Sequence, residues 1–187
     1  MKSRPDDWPY PDFDPAATAD ERTVLTHFLA HHRGYLEHKC TGLDVEQMAR
    51  RSAEPSDMSL LGLIRHMAEV ERRWFRNVMA GGQVDRHYGT DENPDDDFHG
   101  AAADPAQVTE AWAAWHREVA FAERFVANAP DLDITGIEQW RGPMSLRWVL
   151  NHMIEEYAQH NGHADLLRER IDGTVTTDPM DGVDAPG

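Results

Sequence analysis

Residues 145–173 read SLRWVLNHMIEEYAQHNGHADLLRERIDG, and this stretch decides the fold. Its apolar residues return with a helical period rather than alternating, and Ser145 and Gly173 stand where a helix cap and a helix stop belong. At about 100° per residue, Val149 and Leu167 mark the centre of one face, with Met153 and Ile171 beside them. Glu156 and His160 project in that same direction, and His152 and His163 lie near the edge of the stripe. A carboxylate and an imidazole turned toward a core are costly to desolvate unless they are paired or bound to a metal.

Three further segments carry the same period. Thr18 to Cys40 reads as a first helix, with Leu25, Phe28, Leu29, His32 and Leu36 on one face, and Gly42 follows as a stop. Asp44 to Arg51 fits a short helical turn. Ser59 caps a second long helix running to about Met79 and ending at Gly81-Gly82. Asp104-Pro105 opens a third, through Trp112, Trp115 and Val126 to about Asn128. Between these lie two long connections. Residues 81–104 form an acidic, glycine-containing loop of a length that is uncommon unless functional or mobile. Residues 129–144 include Ile134 to Ile137, which reads as extended with nothing to pair it into a sheet. Four long amphipathic helices without convincing strands give an all-α four-helix bundle with long connecting loops. The expected organisation is a proline-rich lead over 1–17, in which Trp8, Tyr10 and Phe13 pack onto the body, a bundle over 18–173, and a loose tail over 174–187.

Composition narrows the function classes. The 187 residues suffice for one domain with a sizeable core. A formal charge of −16 repels a phosphate backbone, which argues against general nucleic-acid binding. Asp91 to Asp97 reads as a solvated acidic loop. The absence of a long apolar run and of a signal-like leader predicts a cytoplasmic protein that does not cross a membrane. The lone cysteine, Cys40, excludes an internal disulfide and reads as a half-buried helix-end residue.

Glu156 and His160 are one turn apart, about 6 Å along the axis, so both can converge on one ion. A third ligand must come from another helix. His66, at the margin of the second helix's apolar face, is the candidate. Two imidazoles and a carboxylate suit a borderline divalent ion, zinc first, with nickel or another divalent ion as alternatives. Three protein ligands leave positions open for a substrate. Against this stands the commoner case of a core histidine that is simply hydrogen-bonded. His32 reads that way, His152 and His163 read as outer partners or alternative ligands, and Glu71 as the partner of an arginine. His27, His31, His38, His87, His99 and His116 read as surface or loop residues, and Arg72 and Arg73 as a solvated face. Leu61 and Phe75 read as exposed and able to supply a homodimer interface.

The runs SLLGLIRHMAEVERRWF and SLRWVLNHMIEEYAQHNGHADLLRERIDG, with the GLDVEQMARR turn, resemble the DinB superfamily of metalloenzymes over most of residues 18–173. The resemblance is closest to the branch near mycothiol-dependent maleylpyruvate isomerase and the mycothiol transferases. It implies up-down-down-up connectivity and a metal held by His66, Glu156 and His160. Glu156 stands where many superfamily members have a histidine, and that substitution favours this branch. The function implied is metal-dependent transfer, conjugation or isomerisation of a small electrophile by a low-molecular-weight thiol such as mycothiol. A metal-dependent hydrolase and a non-catalytic, metal-stabilised binding or stress-response protein are the alternatives.

Overall fold

The computed structural model describes residues 19–175, so the expected packing of Trp8, Tyr10 and Phe13 and most of the tail lie outside the described residues. The chain runs α1 (Glu21–Cys40), α2 (Val45–Ala49), α3 (Leu60–Glu71) continuing as a π-helix over Arg72–Met79, α4 (Asp96–His99), α5 (Pro105–Asn128), β1 (Thr135–Glu138), β2 (Gly142–Ser145) and α6 (Leu146–Asp172). The all-α bundle read from the sequence is present: α1 packs mainly on α6, α3 on α5, and α3 also touches α6.

The helix ends follow local chemistry. The side chains of Asp20, Ser59, Asp104 and Ser145 each accept a backbone N–H in the first turn of α1, α3, α5 and α6. Asp44 and Gln47 form a reciprocal capping box on α2. Gly173 ends α6 at φ 78°, a left-handed conformation that costs glycine nothing. Leu36, Leu63, Met67, Leu150 and Met153 are fully buried where the long helices meet. Each such side chain contributes about 1.5–3 kcal/mol by leaving water.

A buried polar network ties the four long helices together. Arg33 of α1 donates through Nε and Nη2 to the two oxygens of Glu71 on α3, both at 2.8 Å. The Tyr157 hydroxyl of α6 donates to Glu71 Oε1, and Trp115 Nε1 of α5 donates to the Tyr157 oxygen, again at 2.8 Å each. Burial first, and then the nearby Glu71 charge, push the Tyr157 phenol well above its ordinary value, so it stays a donor. The arginine expected beside Glu71 is therefore Arg33.

Several sequence expectations are corrected. Residues 135–145 do pair: β1 and β2 form an antiparallel hairpin with Gly136 opposite Met144 and Glu138 opposite Gly142. Glu138 Oε2 accepts the N–H groups of Trp140 and Arg141 in the turn, while Arg73 Nη2 holds Oε1 at 2.8 Å. The hairpin backbone sits so close to the π-helix that a Cβ on Gly136 would fall 2.1 Å from the Val78 carbonyl oxygen. Arg72 is buried, bonded to Glu69 Oε2 and to the Val84 carbonyl, rather than solvated. Leu61 and Phe75 are wholly buried and offer nothing to a dimer partner. His31 is buried, with its ring stacked on Tyr35. His87 is largely covered and lies 3.2 Å from buried Glu118. Cys40 is buried rather than half-buried, which pushes its thiol up to about 12 and makes it a poor nucleophile. Among the described residues, no helix is long and apolar enough to cross a membrane.

Candidate metal centre

The fold brings the three sequence candidates together. One donor atom from each of His66, Glu156 and His160 lies within 4.8 Å of the other two. The rings of His66 and His160 are 4.7 Å apart between centroids. His160 Nε2 is 3.6 Å from Glu156 Oε2. Two donors of a tetrahedral zinc ion, each at about 2.0–2.1 Å, stand roughly 3.3 Å apart, so small side-chain adjustments bring this set into range. The side chains are 23%, 25% and 11% exposed for His66, Glu156 and His160, so the group is held by the bundle yet open on one side.

Each member is oriented by a partner. His66 Nδ1 is 2.7 Å from Asp97 Oδ2. A hydrogen bond there places the ring proton on Nδ1 and leaves the Nε2 lone pair for an ion, the usual support of a ligating histidine. The ring is also stacked on Phe98, 4.7 Å away. His160 Nδ1 is 3.3 Å from His163 Nδ1, which leaves its Nε2 toward Glu156. Burial, and then the adjoining His160, lower the His163 pKa, which favours the neutral ring, able to accept a hydrogen bond. Glu156 Oε1 lies 3.2 Å from His152 Nε2. The imidazoles of His152 and then His160 hold the Glu156 carboxyl well below the usual carboxylate range, against the opposing effect of burial. It is therefore an anionic donor at neutral pH.

Asp97 was not singled out by sequence reasoning. It is 7% exposed instead of solvated with the rest of its acidic run. The long loop that carries it is pinned at several points. Arg65 donates to the carbonyls of Asp96 and Asp97. Arg65 also lies 4.1 Å from the centre of the Tyr88 ring. The Tyr88 hydroxyl donates to Glu110, and the Tyr88 N–H donates to Glu69. The loop thus delivers a carboxylate to the back of His66. Only the Phe98 that follows, an apolar residue with somewhere to pack, hinted at this. His32 is half-buried; its carbonyl accepts from Asn161 Nδ2 at 3.1 Å. It does not join the three-residue group.

What the arrangement can do is limited by its donors: two imidazoles and one carboxylate, backed by outer partners and open to one side. This is the donor set of a Lewis-acid site with room for an added ligand. A crystal structure of a conserved protein from Enterococcus faecalis has the same fold, with a TM-score of 0.59 at 15% identity, covering 83% of this chain and 99% of that one. No curated protein matches the sequence. The family model described as mycothiol-S-transferase matches residues 24–173, a span that runs from the first turn of α1 past the end of α6 and includes all three converging side chains. With that match over most of its length, the chain belongs to the mycothiol-S-transferase family.

Proposed function

We propose that the protein transfers a low-molecular-weight thiol, mycothiol first, to a small electrophile, using a divalent ion held by His66, Glu156 and His160. Zinc suits the donors best. The observation that carries this reading is the convergence of the three donor atoms within 4.8 Å from two separate helices. Membership of the mycothiol-S-transferase family supplies the thiol.

A bound divalent ion supplies the Lewis acidity that keeps a thiol ionised at neutral pH. The protein's own groups prepare for this. Asp97 fixes the tautomer and the aim of His66, His163 does the same for His160, and Glu156 contributes one negative charge. With a single carboxylate among the three donors, a divalent ion held there would keep net positive charge over its direct donors and could take an anionic thiolate. Phe98 against His66 and Trp74 against His152 limit water at the flanks.

The test is thiol consumption by zinc-loaded protein with mycothiol and a panel of epoxides, alkyl halides and activated alkenes. Turnover should exceed the uncatalysed rate, stop on chelation and return with zinc. No turnover with any member of the panel would contradict the proposal.

Asp97→Asn checks the outer support. Weakening the hydrogen bond to His66 should lower zinc affinity about 10–100-fold, measured by competition with a chromophoric chelator. An affinity equal to that of the unaltered protein would mean that Asp97 does not orient a ligand.

A further inference from the structure

On α6, Trp148, His152 and Glu156 lie on successive turns. The Trp148 ring stacks on His152 with centroids 4.9 Å apart and planes 20° from parallel. His152 Nε2 is in turn 3.2 Å from Glu156 Oε1. A row of rings therefore runs along α6 from Trp148 through His152 to the candidate metal residue Glu156. Trp74 backs it from within, 5.2 Å from Trp148 and 4.7 Å from His152.

The outer end of this row is open. Trp140, in the hairpin turn, is 81% exposed, and Trp148 is 36% exposed. Arg141, next to Trp140 in the turn, is exposed, with its guanidinium carbon 5.8 Å from the centre of the Trp148 ring. Among the described residues it has no carboxylate partner, whereas Arg73, at the base of the same hairpin, is paired with Glu138. In a chain of net charge −16 such an arginine is a local positive point, and it lies beside two exposed indoles. The two chemistries together select a flat ring for the indoles and an anionic group for the guanidinium. The turn is pinned by Glu138, whose Oε2 accepts the N–H groups of both Trp140 and Arg141. From Trp148 to Glu156 is about 12 Å along the helix axis, the reach of a molecule with one or two rings and a short arm.

We infer that the surface formed by Trp140, Trp148 and Arg141 binds the planar, carboxylate-bearing end of an aromatic electrophile and directs its far end toward Glu156 and His160. The orientation rests on the thiol-transfer reading above; the binding surface does not. A carboxylate at the Arg141 end also stays clear of the Glu156 charge.

The experiment is calorimetric titration of the full chain, with zinc and after chelation, with 2-naphthoate, 2-naphthylmethanol and cyclohexanecarboxylate. Naphthoate should bind with and without zinc, and more tightly than either molecule lacking one of its two features. Trp140→Ala and Arg141→Gln, both at exposed positions, should each weaken naphthoate about threefold to tenfold while zinc affinity is unchanged. Trp148→Phe, which retains a ring on His152, should weaken it less than Trp140→Ala combined with Arg141→Gln. Unaltered naphthoate affinity in both single variants would overturn the inference, as would binding that requires zinc or no binding at all. If the variants behave as expected while no thiol transfer is found, the surface stands and the catalytic reading falls.

Discussion

His160→Ala is expected to remove both tight zinc binding and thiol transfer. The substitution deletes the Nε2 donor that faces Glu156 and leaves one imidazole and one carboxylate, too few to hold an ion firmly. Loss of a direct donor should exceed the ~10–100-fold effect of removing an outer partner. Turnover should fall to that of the chelated protein. Among the described residues His160 has no hydrogen bond or ion pair to Arg33, Glu71 or Tyr157, so the bundle should stay folded, and circular dichroism should show unchanged helix content. His163→Ala serves as the graded comparison. It removes the group behind His160 Nδ1 but no donor, so its affinity should lie between the two. Equal zinc affinity in His160→Ala and the unaltered protein would place the ion elsewhere.

Glu71→Ala should cause the largest loss of stability. Its carboxylate is wholly buried and receives three hydrogen bonds, two from Arg33 and one from Tyr157. The guanidinium of Arg33 is itself buried, and the Glu71 charge favours its protonated state against the desolvation that opposes it. Truncating Glu71 leaves that cation with only the exposed Glu123 carboxylate, 3.9 Å from its Nη1, an effect on the order of 3–5 kcal/mol. For a chain of this size the melting temperature should fall roughly 6–20 °C. The pair Arg33→Met with Glu71→Leu should recover much of this, because replacing both charges by apolar groups leaves no orphan ion. A melting temperature within a degree or two of the original in Glu71→Ala would refute the network's role. Tyr157 adjoins Glu156 in sequence and Glu71 lies five residues beyond His66, so the network also sets the register that brings α3 and α6 to a common point.

Much of this was legible in the chain because it is local. Four helical periods, their caps and the inward aim of Glu156 and His160 follow from residues close in sequence. His66 stood on the margin of its helix face, and its direction was settled only by packing against α6 and Phe98. Asp97 was hidden because a run of aspartates reads as solvent-exposed until a loop anchored through Arg65 and Tyr88 folds one of them inward. The hairpin was missed because its strands have four residues each and include glycine and proline; its support comes from the π-helix and Arg73, more than fifty residues earlier. Leu61, Phe75, His31 and Arg72 were misplaced for a related reason. The helices are covered on more than one face, so a single apolar stripe underestimates burial.

The most direct measurement is zinc-edge anomalous diffraction from crystals of the zinc-loaded protein. The anomalous peak is expected at the common point of His66 Nε2, His160 Nε2 and a Glu156 oxygen, at about 2.0–2.2 Å from each, with at least one further position filled by solvent or thiol. A peak coordinated by other side chains, or an ion touching fewer than two of these three, would contradict the account.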